Sequence, residues 1–143
     1  MFQRILVAVD PSPARYSAVR LAGELAESSG AEVRVLHVVA SAASVATVQP
    51  LEDDDHAKAL LDEAVTILRD KGVKTEGVLA RGLTAQIPTT ISESAEDFAA
   101  DLIVLSPHHR GFVEALFNPR VSDAVAHASR RALLLAPEEE AAA

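Results

Sequence analysis

The chain predicts an open, doubly wound α/β domain: a five-stranded parallel sheet in the order 3-2-1-4-5 with helices on both faces. Three observations carry this reading. Short apolar runs alternate strictly with amphipathic segments, in the order βαβαβαβαβ, and such alternation builds a parallel sheet covered by helices. Right-handed crossovers then wind it onto both faces. The 143 residues are 49% hydrophobic but only 3% aromatic, so small aliphatic side chains must fill the core of what is expected to be one domain, residues 1–143.

The first predicted strand is RILVAVD, 4–10, a β-branched run of the kind buried on both faces. A helix follows over 11–30, with Ser12 as cap and Pro13 at its first position. Its stripe is Ala18, Leu21, Ala22, Leu25 and Ala26, and Gly30 stops it. The second strand is AEVRVLHVV, 31–39. Residues 40–55 mix small and polar residues with a proline and an acidic run. They read as a mobile loop that ends in a helix entrance, where acids suit the helix dipole.

The second helix, 56–72, lines one face with Leu60, Leu61, Ala64, Val65 and Leu68. The third strand, 73–82, alternates more and carries more charge, as edge strands do. The third helix, 84–101, has Pro88 in its first turn and a stripe of Ile87, Ile91, Ala95 and Phe98. LIVLS, 102–106, is the fourth strand. The last helix, 118–130, starts with Asn118 as cap and Pro119 at its first position. RALLLAP, 131–137, is the fifth strand, and 138–143 is a frayed tail.

Charge and composition exclude several functions. The net charge is −8, which argues against general binding to nucleic acid or to an anionic membrane. No cysteine is present, so disulfides and thiolate chemistry are absent. No apolar run nears the roughly 20 residues that span a bilayer, and the amino terminus lacks a long signal-like core. A cytoplasmic protein is expected. No Gly-x-Ser-x-Gly, Walker or His-Glu-x-x-His motif occurs, so no catalytic residues are assigned and no enzymatic activity is expected.

In a doubly wound sheet, ligands bind outside the carboxyl ends of the strands where the order reverses. Here that crevice lies between the first and fourth strands, so the loops after Val9 and after Leu105 border it. The second loop reads SPHHRGFVEALFNPR, which places His108, His109, Arg110 and Arg120 near a helix amino terminus at Asn118. Such a set can hold an anion through side-chain charge. A metal at His108 and His109 would need a third ligand, and none is evident; no metal site is assigned. The acids 52–55 read as a solvated helix entrance, since no Asp-x-Asp-x-Asp-Gly loop is present. His37 reads as a buried histidine bonded to backbone, and Asp10 as either a ligand group or a turn residue in DPSP. His56 and His127 read as helix-surface residues.

ILVAVDPS, VRVLHVV, AADLIVLS and VSDAVAHASRRALLLA, in that order, resemble the universal stress protein family across nearly the whole chain. The resemblance implies one of two kinds. One binds ATP through a motif after the fourth strand: Gly, two residues, Gly, nine residues, Gly, then Ser or Thr. The other lacks the motif and does not bind ATP. Laid without gaps on this chain, the motif falls on Ser106, His109, Pro119 and Arg120, so every position differs. Gly111 has no partner glycine nine residues on. The glycines matter because they let backbone N–H groups approach phosphate oxygens, and a proline deletes a donor outright. The resemblance also implies that Asp10 sits at the adenosine end, and that Ala8, Val38, Leu105 and Val121 line the nucleotide.

The expectation is therefore a stress-response dimer that acts by interaction, with no cofactor. The alternative is an adenine-nucleotide sensor, binding ATP or a relative, with or without magnesium, through a remodelled His/Arg phosphate site. The dimer would form through 132–136, an edge strand without charge or proline in its core, as the resemblance implies. An unidentified protein partner would fit the first reading.

Overall fold

A computed structural model describes residues 1–43, 48–50, 52–106, 123–126 and 130–137. Its elements are β1 (Arg4–Val9), α1 (Ala14–Ser29), β2 (Glu32–Ala43), β3 (Val48–Pro50), α2 (Asp54–Asp70), β4 (Thr75–Leu83), a 3-10 turn (Thr84–Gln86), α3 (Ile87–Phe98), β5 (Leu102–Leu105) and β6 (Ala132–Leu135). A helical stretch at 123–126 precedes β6.

The parallel strands run β4-β2-β1-β5-β6, which is the predicted order 3-2-1-4-5. Ile5 pairs with Val33 on one side and Leu102 on the other, so β1 is central. Strand periodicity sorts the core into two layers. Ile5, Val7, Val9, Val33, Val35 and Val104 pack under α1 and α2. Leu6, Ala8, Leu36, Val38, Ile103 and Leu105 pack under α3 and Val125. The predicted stripes of α2 and α3 are buried as expected. In α1, Ala18, Ala22 and Ala26 of the stripe are buried, while Leu21 and Leu25 are partly buried at the margin.

Gly30 ends α1 in the left-handed region, φ 75°, where a Cβ costs energy. Among the described strands β4 pairs with β2 alone, which fits its mixed, charged sequence.

Two expectations need correction. Residues 40–55 are not one loop. β2 continues to Ala43, and β3 returns antiparallel beside it, with Ser41 opposite Pro50 and Ala43 opposite Val48. Ser41 also pairs with Leu83 of β4. A strand residue has one partner on each side, so β3 lies on the flank of β2 that β1 occupies lower down. β3 thus stands beyond the carboxyl end of β1, at the crevice. The sequence hides this because alanine and serine are weak strand formers; the extension forms by pairing with β4 as far as Ser41 and with β3 from Ser41 to Ala43. Ser12 is the second correction. Pro13 is the cap residue of α1, and no side chain caps the helix.

Candidate functional site

β1 and β5 are adjacent, with Ala8 opposite Leu105, so Asp10 and Ser106 leave the sheet side by side. Both are buried, as are Ser12 and His37. A sheet otherwise lined with aliphatics therefore ends in four buried polar residues at the predicted crevice.

Asp10 Oδ1 accepts the backbone N–H of Ser12 at 2.9 Å. This is the turn role of aspartate in DPSP. Burial raises the Asp10 carboxyl above its ordinary value; the hydrogen bonds from Ser12 and the charges of His37 and Arg15 oppose that rise. Arg15 donates to the carbonyls of Pro11 and Ser12 and locks the same turn.

His37 is fully buried. Its Nδ1 lies 3.0 Å from the carbonyl oxygen of Val9, which is the backbone bond expected from sequence. Its Nε2 lies 2.5 Å from Glu52 Oε1, and that partner was not foreseen. Glu52 had read as part of a solvated acidic run. Asp53, Asp54 and Asp55 are exposed, but the Glu52 side chain is only 11% exposed. No sequence signal separated Glu52 from its acidic neighbours.

Among the described residues, two side-chain oxygens here are buried with no hydrogen-bond partner, Ser106 Oγ and Glu52 Oε2, while the Ser12 hydroxyl bonds to the Asp10 carboxyl. Each such group costs about 1–3 kcal/mol if nothing satisfies it. Ala8, Val38 and Leu105 are buried beneath α3 and form the apolar floor beside them. Of the other residues singled out from sequence, His108, His109, Arg110, Arg120, Val121 and His127 lie outside the described residues, as do Asn118 and Pro119. His56 is exposed, as expected. Among the described residues no group of three His, Asp or Glu side chains is placed to hold a metal ion, and no helix is long and apolar enough to cross a membrane.

A second concavity, of about 290 Å³, lies at the amino-terminal end of the strands. Its charges satisfy one another: Arg34 pairs with Glu76 and Asp97, and Lys74 with Glu32. That leaves the crevice end as the candidate site.

The universal stress protein family model matches residues 1–137. The chain belongs to the universal stress protein family. Solved structures agree. A universal stress family protein from Burkholderia pseudomallei superposes with a TM-score of 0.74 at 22% identity, covering 95% of this chain and 96% of the other. A universal stress protein from Archaeoglobus fulgidus gives 0.73 at 26% identity, covering 96% and 100%. A structure of the Archaeoglobus fulgidus universal stress protein in complex with dAMP gives 0.69 at 26% identity, covering 94% and 98%. No curated protein matches the chain significantly.

Proposed function

We propose that this universal stress protein is a cytoplasmic stress-response dimer that does not grip ATP by its phosphates and acts through protein interaction. The observation that carries this is Ser106. It follows β5 where the family's motif would open with glycine, and it is buried. At that motif position a Cβ narrows the approach of backbone N–H groups to a phosphate. His109, Pro119 and Arg120 at the other motif positions support the same reading. The dimer would form through β6, whose Leu135 is 51% exposed and which pairs with β5 alone among the described strands.

A second reading is favoured by the unpaired oxygen of Ser106. It is the kind of buried group that a ligand hydroxyl satisfies. In that reading an adenine nucleotide lies on Ala8, Val38 and Leu105, with His108, His109 and Arg120 as phosphate partners and Val121 beside them. The Archaeoglobus complex with dAMP lends it weight.

Thermal melting with ATP, ADP, AMP and cyclic AMP, each with and without magnesium, separates the two. A nucleotide at one hundred times its Kd stabilises by about 2.7 kcal/mol, or roughly 5–10 °C for a domain of this size. The first reading expects no shift at millimolar nucleotide. A shift that disappears in Ser106→Ala would establish the second.

A further inference from the structure

β3 needs a reason to lie where it does. It has three residues and pairs only through Ser41, Ala42 and Ala43, and Val48 is 62% exposed. Two or three ladder bonds hold so short a strand weakly. The stronger tie is just beyond it. Glu52 turns inward, and its carboxylate meets His37 Nε2 at 2.5 Å. The same ring meets the Val9 carbonyl oxygen at 3.0 Å through Nδ1. One imidazole therefore joins the segment that carries β3 to the carboxyl end of β1, next to Asp10.

The protons limit this joint. A neutral imidazole has one N–H, and both of its neighbours here are acceptors. With Glu52 ionised and the ring neutral, one nitrogen must present a lone pair to an oxygen. Both contacts are bonds only while the pair holds one more proton, either as imidazolium with carboxylate or as imidazole with carboxylic acid. Of the surrounding charges, Asp10 on the β1 loop acts directly with the imidazole, and Arg15 of α1 lies behind Asp10. Asp53, Asp54, Asp55 and His56 at the start of α2 are exposed, with Asp54 paired to Arg81 of β4. Leu79, the β4 residue opposite His37, carries no charge.

We propose that His37 and Glu52 form a proton-dependent rivet, which fastens β3 across the carboxyl end of β1 and parts on one side when its extra proton leaves. The sign follows from the count: the joint is complete at lower pH and loses one of its bonds as pH rises. The rivet is independent of whether a nucleotide binds.

Amide hydrogen exchange by NMR across a pH series, corrected for intrinsic rates, tests it in wild type, Glu52→Gln and Glu52→Ala. In Glu52→Gln the amide N–H₂ donates to Nε2 while Nδ1–H serves Val9, so no extra proton is needed. Wild type should lose about tenfold or more protection with rising pH, either at β3 and its partners Ser41–Ala43 or at Asp10 and Ser12. Glu52→Gln should stay protected throughout, and Glu52→Ala should be poorly protected at β3 at every pH. An equal pH response in wild type and Glu52→Gln, or full β3 protection in Glu52→Ala, would overturn the proposal. All three chains should keep the protection of β1 and β5, which reports that the fold is intact.

Discussion

Asp10 Oδ1 accepts the Ser12 backbone N–H at 2.9 Å, so the carboxylate at the crevice is already bonded within its own loop. A ligand there must share that oxygen or use the other one. The bond also fixes the direction in which α1 leaves β1, so Asp10 has structural weight whatever binds.

Substitution of Asp10 should therefore separate turn from charge. Asp10→Ala loses the turn bond and should cost about 1–2 kcal/mol in urea denaturation. Asp10→Asn keeps an acceptor for Ser12 without the buried charge. Because the folded carboxyl lies above its ordinary value, its stabilising contribution is full at acid pH and is lost as pH rises through the folded value. Asp10→Asn should thus be at least as stable as wild type at neutral pH, and lose that advantage toward acid pH.

The unpaired hydroxyl of Ser106 gives a prediction of opposite sign. Ser106→Ala removes a buried oxygen that no group among the described residues satisfies. It should raise the stability of the free protein by about 1 kcal/mol, read from the urea midpoint at unchanged slope. A loss of stability would mean that the hydroxyl has a partner in solution.

Two glycines of β4 should respond differently to alanine. A Cβ at Gly77 would stand 2.9 Å from Val65 Cγ2 and 3.2 Å from Leu61 Cγ, against the buried face of α2. Gly77→Ala should cost about 1–3 kcal/mol by overpacking. A Cβ at Gly82 meets nothing nearer than Gln86 Oε1 at 3.5 Å, and Gly82→Ala should stay within about 0.5 kcal/mol of wild type.

Leu135 tests the dimer. A charge on an exposed edge strand opposes pairing with a second edge. Leu135→Lys should convert the dimer to a monomer in sedimentation velocity, with an unchanged far-ultraviolet spectrum. A wild-type chain that sediments as a monomer at all concentrations would remove the β6 interface.

Much of this protein is legible in its local patterns. Apolar runs such as Ile5–Val9 and Leu102–Leu105, and the helical stripes of α2 and α3, depend on spacing along the chain, and spacing is a property of sequence alone. From those elements the handedness of crossovers leads to the sheet and to a crevice bordered by Asp10 and Ser106. Tertiary structure decided the rest. β2 runs on past Val39 because β4 pairs with it as far as Ser41 and β3 from Ser41 to Ala43, and no propensity of Ala40 or Ser41 announces that. Glu52 looks like its three acidic neighbours in the sequence, yet it alone turns inward to His37, 15 residues away. Which of four adjacent carboxylates meets a buried imidazole depends on where β3 stands beyond the end of β1, and that is set by pairings between segments distant in the chain.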